Sequence, residues 1–249
     1  KYALLDSKGR SIDDTHAVAT ARQLLYEGRL IGIKGTNGYH IACNARNEKA
    51  IDLLRKRKRR PDKPLAIMAA SLEAAKLICR TTDKEEEILT SRQRPIVLLE
   101  KRFPELLPCN IAPRVTRLGV ILPYTSLHHL LFCGELQYLI MTSGNISGMP
   151  TCYRDEDAFE KLGDIVDFFL VQDREIFTPI DDSVVRVIDG NEIISRNARG
   201  YYPSTLQIDS DSEIMAVGAE QKSSLCLLHK GYAHFSQYLG NLSEMNAYE

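Results

Sequence analysis

The stretch Leu54-Arg55-Lys56-Arg57-Lys58-Arg59-Arg60-Pro61-Asp62-Lys63-Pro64-Leu65-Ala66-Ile67-Met68 decides how this chain is read. From Arg55 to Lys63 it holds seven cations and one carboxylate, in a chain of 249 residues whose formal net charge is −1. Like charges crowded this way cost free energy unless water screens them or an anion neutralises them. The concentration points to a compact, highly charged anion such as a nucleotide triphosphate, or to nucleic acid. The stretch runs through Pro64 straight into an apolar segment, so the cations are expected on folded structure. Pro61 ends the preceding helix, and an extended chain there turns Lys58 and Arg60 to one side. An ammonium and a guanidinium converging on one spot suit a polyphosphate, the first as a point charge and the second as a bidentate donor. A solvated basic helix end is the plainer alternative.

Composition sets the frame. Hydrophobic residues make up 44% and charged residues 26% of the chain, ordinary for a globular protein with a sizeable core. No stretch approaches the roughly 20 apolar residues that cross a bilayer, so no membrane partner is expected. Asp6 breaks the N-terminal apolar run, which excludes a signal peptide, and the start at Lys1 rather than Met reads as a piece of something longer. The six cysteines (Cys43, Cys79, Cys109, Cys133, Cys152 and Cys226) form no CxxC pair, which argues against a zinc ribbon. Without a secretory signal they imply free thiols in a reducing cytoplasm, each a small buried apolar residue.

Working outward, helical and strand patterns alternate. Helices are expected after the cap signals at Asp13-Asp14-Thr15, over Asn47 to Arg57, from Ser71 to about Cys79, over Thr125 to Cys133, and around Ala158 to Lys161. Strands are expected at Leu30 to Lys34, Tyr39 to Cys43, Leu65 to Ala69, Pro95 to Leu99, Leu118 to Leu122, Leu139 to Thr142 and Phe168 to Gln172. Ser183 to Ile188 and Glu192 to Arg196 pair through the hairpin signal Asp189-Gly190-Asn191. Short strands interleaved with helices give an α/β (α+β) domain with a mixed sheet. The polar run Gln207 to Ser212 reads as a linker. It divides a domain of residues 1–207 from residues 208–249, which open a second, truncated unit with a strand at Ile214 to Val217.

Three further segments could carry chemistry. Thr142-Ser143-Gly144-Asn145-Ile146-Ser147-Gly148 follows a buried strand, and its small side chains leave backbone N–H groups approachable by phosphate or ribose; a simple turn is the alternative. No Walker motif occurs. Asp181-Asp182 could hold a divalent cation beside phosphates, or form a turn, or salt-bridge the nearby Arg196 and Arg199. Ser183 and Arg196 are read as site residues and Asp181 as structural. His128 and His129 are adjacent in a helix and point apart, which argues against joint metal ligation, and His40, alone in a strand, reads as packed.

Six segments together resemble the YrdC-like domain of the HypF family, the carbamoyltransferases of nickel–iron hydrogenase maturation. They are Ile33-Lys34-Gly35 to His40; Leu54 to Arg60 with Lys63 to Met68; Leu118 to Thr125 with Leu127 to Leu131; Thr142 to Gly148; Asp181 to Arg186; and Arg196 with Ala198 to Tyr201. Val217 to Ser224 and Ser236 to Leu242 are similar to the opening of that family's following kinase-fold domain. Thr36-Asn37 departs from a more usual Gly-rich pair, and Tyr238 and Asn241 stand where the family tends to carry His and Asp.

The resemblance implies a twisted mixed sheet with flanking helices and a concave basic face that binds ATP, with magnesium, and forms an adenylate. It implies Lys58 and Arg60 as the catalytic pair, and nucleotide contacts from Lys58, Arg60, Thr142, Ser143, Asn145, Ser183 and Arg196, with no protein-held metal. It implies carbamate, derived from carbamoyl phosphate, as the co-substrate. It further implies delivery of the carbamoyl group to the C-terminal cysteine of HypE, through the full-length protein, for cyanide ligand synthesis. Threonylcarbamoyl-adenylate synthesis for tRNA modification and a double-stranded RNA-binding module are the competing readings; nucleic acid is not expected as substrate.

Overall fold

Apolar runs of four to six residues become strands, and segments that begin on a capping side chain become helices. The computed structural model describes residues 1–102, 106–146, 149–220, 223–237 and 239. In chain order the elements are β1 (Tyr2–Asp6), β2 (Ser11–Asp13), α1 (Ala17–Tyr26), β3 (Ile31–Lys34), β4 (Tyr39–Asn44), α2 (Glu48–Lys58), β5 (Ala66–Ala69) and α3 (Leu72–Ile78). Next come β6 (Cys79–Arg80), α4 (Asp83–Thr90), β7 (Ile96–Lys101), β8 (Arg117–Ile121), α5 (Ser126–Leu131), β9 (Tyr138–Ser143), α6 (Asp155–Leu162) and β10 (Phe168–Gln172). The chain continues through β11 (Val184–Ile188), β12 (Asn191–Arg196), β13 (Ser204–Gln207), β14 (Ile214–Val217), β15 (Leu225–His229) and β16 (Tyr232–Phe235).

Caps explain most helix starts. The side chains of Asn47, Ser71 and Thr125 accept the N–H groups of Ala50, Ala74 and His128, each satisfying a donor that the first helical turn leaves unpaired. Asp13 serves α1 from outside it: its carboxylate accepts from the N–H groups of Thr15 and His16 and from the Thr20 hydroxyl. Helix α4, absent from the sequence reading, starts on a reciprocal capping box between Thr82 and Glu85. That T-x-x-E signal was present in the sequence, hidden by a first turn too charged to show an apolar stripe.

Strands β1 to β12 form one mixed sheet in the order β12-β11-β7-β8-β5-β9-β4-β3-β10-β1-β2, with β6 on β7. The pairs β3/β10, β5/β8 and β7/β11 are parallel and the rest antiparallel. Alternation along β4 and β9 divides the core between the two faces. Tyr39, Ile41, Tyr138 and Ile140 join the cluster under α2, α3, α4 and α6, whereas Ala42, Leu139 and Met141 join the cluster under α1 and α5. Phe169, fully buried on the first face, meets Tyr39 and Phe159 edge-on at 6.1 and 5.0 Å between ring centres.

Strands β13 to β16 make a separate antiparallel sheet in the order β13-β16-β15-β14. The polar run Gln207 to Ser212 therefore joins two strands of that sheet, and the passage from one sheet to the other lies in residues 197–203. Met215 and Val217 on β14 are exposed. Tyr238 and Asn241 lie outside the described residues. All six cysteines are free thiols, but only Cys43, Cys79 and Cys152 are buried; Cys109 and Cys133 are exposed and Cys226 is intermediate. The expectation of six buried cysteines is corrected accordingly: Cys109 and Cys133 lie on connections rather than on the sheet.

Phe169→Ala should lower unfolding free energy by about 3–5 kcal/mol, as expected for emptying an aromatic core site, read from urea denaturation. A loss below about 1 kcal/mol would show that the Tyr39–Phe169–Phe159 stack does not anchor this face.

Candidate nucleotide-binding site

The basic stretch is built around its own main chain. Helix α2 ends at Lys58, and Arg59 closes it in the left-handed region at φ 51°. The Arg60 N–H returns 3.0 Å to the carbonyl of Arg55, the pattern of a helix terminated by a reversed cap. The expectation of an extended chain at Lys58 is thereby corrected: the cap, not an extended strand, turns Lys58 and Arg60 toward the end of β9.

The seven cations divide into roles that charge counting did not separate. Arg55, largely buried, spends its guanidinium on carbonyl oxygens: Nε donates to Asn110 at 2.7 Å, Nη2 to Ile111 at 3.0 Å, and Nη1 lies 2.8, 2.9 and 3.1 Å from those of Arg60, Pro61 and Lys63. Arg57 donates to Ile165 O and to the Asp167 carboxylate. Lys56, Arg59 and Lys63 face solvent.

Lys58, only 2% exposed, reaches the loop after β9. Its Nζ donates to Ser143 O, to Asn145 O at 2.9 Å and to Asn145 Oδ1 at 2.8 Å. All three ammonium donors are thus used on the loop. Burial, and then the charge of Arg60, push the Lys58 ammonium down to about 7, while the three oxygens around it favour the charged form. The Ser143 hydroxyl donates to Asn145 Oδ1 at 2.8 Å and Asn145 Nδ2 donates to Met149 O. Gly144 is required where it stands, since a Cβ there would come within 2.6 Å of the Tyr39 side chain. The loop N–H groups are not open, as the sequence suggested: that of Gly144 bonds Tyr39 O and that of Asn145 bonds Ser143 O. Ser147 and Gly148 lie outside the described residues.

Arg60 lies beside this loop. Its Nη2 donates to Pro64 O at 2.8 Å and its Nη1 lies 3.4 Å from Thr142 Oγ1. Its Nε is buried without a hydrogen-bond partner. Burial, then Arg55 and Arg196, lower the guanidinium to about 10. It remains a cation at neutral pH, with one donor open and two like charges close by. Arg196 donates from Nε to Asp182 O at 2.7 Å and lies 3.7 Å from the Asp181 carboxylate. Ser183 stands apart: it is fully buried and its hydroxyl accepts the Ala198 N–H at 2.8 Å.

A second group adds His40 and Tyr124, from distant segments, to the pairing of the aspartates with nearby arginines that the sequence offered. The Asp182 carboxylate meets His40 Nε2 at 3.1 Å and Arg199 Nε at 2.8 Å. The Arg199 guanidinium stacks 3.6 Å from the centre of the Tyr124 ring, and Tyr124 meets His128 edge-on at 4.5 Å. Burial works to raise the Asp182 carboxyl, yet the bonds to His40 and Arg199 outweigh it and hold it well below the usual carboxylate range. Burial pushes the His128 imidazole down to about 3, which makes it neutral. His40 is cross-strand neighbour to Ser143, so this group borders the Lys58 loop. Asp181 accepts from Thr151 Oγ1 at 3.1 Å. With both aspartates engaged, and no three His, Cys, Asp or Glu side chains converging among the described residues, the chain's carboxylates do not fit a magnesium site.

The site is thus a cationic nook at the joined ends of α2, β4 and β9 of an αβ protein, with the chemistry to receive an anion. The family profile for Sua5, YciO and YrdC, described as telomere recombination, matches residues 23–198, and the chain belongs to that family. The profile of the HypF Kae1-like domain matches residues 209–249. The chain is 41% identical over 252 residues to carbamoyltransferase HypF of Synechocystis sp., covering all of this chain and 33% of that protein. It superposes on the crystal structure of T. kodakarensis HypF with a TM-score of 0.94 at 39% identity, over 99% of this chain and 32% of the other. It also superposes on full-length HypF in a phosphate- and nucleotide-bound form, with a TM-score of 0.92 at 38% identity, over all of this chain and 32% of the other. The chain spans about a third of the length of these relatives. No helix among the described residues is long and apolar enough to cross a membrane.

Asp182→Asn should cost about 3–5 kcal/mol of stability at pH 7, because it strands the Arg199 charge. A carboxyl held low in the folded state stabilises fully above its unfolded value of about 4 and loses that contribution as the pH falls through the folded value. The gap between wild type and variant should therefore narrow below about pH 4 in denaturation curves. A gap unchanged between pH 7 and pH 3 would contradict the role given to Asp182.

Proposed function

We propose that this chain forms carbamoyl-adenylate from ATP and carbamate, as the nucleotide-handling part of a HypF-type carbamoyltransferase. The observation that carries the reading is the half-buried Arg60 guanidinium, its Nε buried without a partner, beside a loop that Lys58 holds in place. A partly desolvated cation with an open donor and two like charges nearby gains most from an anion. The relatives named for carbamoyl transfer and the nucleotide-bound HypF structure support ATP as that anion. The match of residues 209–249 to the HypF domain favours carbamoyl transfer over threonylcarbamoyl-adenylate synthesis.

In this reading the triphosphate lies across Arg60, Thr142 and the Ser143–Asn145 loop, with Arg196 closing the side toward Asp181. Lys58 sets the loop rather than meeting the phosphate first. A carbamate oxygen attacks the α-phosphorus; that P–O bond forms as the bond to the pyrophosphate oxygen breaks, and pyrophosphate leaves with the electron pair. Carbamate is already an anion, so no base must remove a proton. The task is to bring two anions together, and fixed positive charge plus alignment supply the rate. Ser183 contributes through the Ala198 N–H, which orders the chain beyond Arg196. In the longer protein, carbamate would derive from carbamoyl phosphate at another domain. The carbamoyl group would then pass through the kinase-fold domain to the C-terminal cysteine of HypE, in the cytoplasm, toward a hydrogenase cyanide ligand.

Exchange of labelled pyrophosphate into ATP tests the proposal. Ammonia with bicarbonate should stimulate it, threonine with bicarbonate should not, and stimulation by threonine alone would overturn it. Arg60→Ala should weaken ATP binding by about 1.5–3 kcal/mol, the range for a charge-assisted hydrogen bond, and Lys58→Ala should weaken it through the loop it releases; unchanged calorimetric affinity in both would remove them from the site.

Protons give a further check. Polyphosphate raises the Lys58 value from about 7, so binding should take up a fraction of a proton between pH 7 and 8. Calorimetry in buffers of different ionisation enthalpy reads this uptake. It should vanish in Lys58→Met, and uptake that persists there would assign it to another group.

A further inference from the structure

Arg55 grips one residue from both sides. Its carbonyl accepts the Arg60 N–H at 3.0 Å, and its Nη1 donates to the Arg60 carbonyl at 2.8 Å. The same nitrogen reaches the carbonyls of Pro61 and Lys63, while Nε and Nη2 hold Asn110 O and Ile111 O. Five main-chain oxygens are therefore gathered by one guanidinium that, among the described residues, has no carboxylate bonded to it. Burial lowers its proton affinity, with Asp62 and Asp52 opposing from a distance.

A buried guanidinium is costly, and one committed to carbonyls alone makes no use of an ion pair. A methylene chain would fill the space without that cost. What only the planar fork supplies is a fixed direction for several carbonyls at once. The peptides so fixed are those that flank Arg60 and lead to Pro64, whose carbonyl in turn takes Arg60 Nη2 at 2.8 Å. The other end of the fork is anchored to residues 110–111, and the Ile111 carbonyl also accepts the Leu65 N–H at 2.9 Å.

We infer that Arg55 is a positioning residue of the nucleotide site: it aims Arg60 at Thr142 and at the ligand by fixing the main chain on both sides of it. The inference rests on the nucleotide reading above. Each of the three Arg55 nitrogens already holds at least one main-chain oxygen, so its part in the site is to position Arg60. Lysine at this position keeps the charge but cannot reach five carbonyls, so the fork, not the charge, is what matters.

A double-mutant cycle on this chain tests it, with ATP affinity by calorimetry and folding by thermal melting. Arg55→Lys, chosen as the variant that preserves charge and bulk, should weaken ATP binding about tenfold in the wild-type background, on the scale of one charge-assisted bond. In the Arg60→Ala background the same change should cost less than about twofold, because coupling vanishes when the partner is gone. A merely structural Arg55 would weaken binding equally in both backgrounds, and that result overturns the inference. So does wild-type affinity in Arg55→Lys. If Arg55→Lys does not fold, Arg55→Gln, which keeps a donor amide, takes its place in the same cycle with the same two outcomes. Wild-type protein that binds no ATP would overturn the nucleotide reading, and this inference with it, a result distinct from either of those.

Discussion

A cation taken out of water must be met by something, and α2 meets two of its cations with main-chain oxygen. Arg55 and Lys58 lie three residues apart, one turn, on the helix face that enters the protein. The first collects the carbonyls of residues 60, 61, 63, 110 and 111; the second collects those of Ser143 and Asn145. Carbonyl groups carry no net charge, so neither side chain is paired with an anion. The field of the helix end is left positive while its geometry is fixed. Everything else about the site follows from that arrangement: where Arg60 points, how the Asn145 loop lies, and why an anion is the missing partner.

This also changes the meaning of the basic stretch. Its charges do not act as one patch. Arg55 and Lys58 hold backbone, Arg57 pairs with Asp167, Arg60 is left with an open donor, and Lys56, Arg59 and Lys63 face solvent. A patch of seven solvated cations would favour any polyanion and bind nucleic acid with steep salt dependence. A single open guanidinium inside a nook selects a small, highly charged group instead. The two neighbouring aspartates work in the same direction: Asp182 is held by His40 and Arg199, and Asp181 by Thr151 with Arg196 nearby.

Much of this was legible in the sequence, and what was not has identifiable causes. Short apolar runs such as Leu139-Ile140-Met141 and Phe169-Leu170-Val171 have no reading but a buried strand, and Asn47, Ser71 and Thr125 announce their helices. The sequence also draws attention to Lys58, Arg60, Ser143 and Asn145, which the fold brings together. It could not show that Lys58 faces the loop instead of the ligand, because a hydrogen bond across 85 residues leaves no local pattern. For the same reason His40 could not be joined to Asp182 and Arg199, although the sequence did offer a salt bridge between the aspartates and the nearby arginines. The capping box of α4 was readable and was missed, because Asp83-Lys84-Glu85-Glu86-Glu87 looks like a solvated turn. The extended conformation expected at Lys58 failed because Pro61 was given the task of ending a helix that Arg59 had already closed.

The central claim is that Arg60 and the Lys58-held loop form one preformed cradle for the phosphates of a nucleotide. A crystal structure of this chain with a non-hydrolysable ATP analogue tests it most directly. The account predicts phosphate oxygens within hydrogen-bond distance of Arg60 Nε, with Lys58 Nζ still on Ser143 and Asn145. A nucleotide seated instead in the cavity of about 460 Å³ between Asp62, Lys101 and Arg114, with Arg60 Nε still unpartnered, would contradict it.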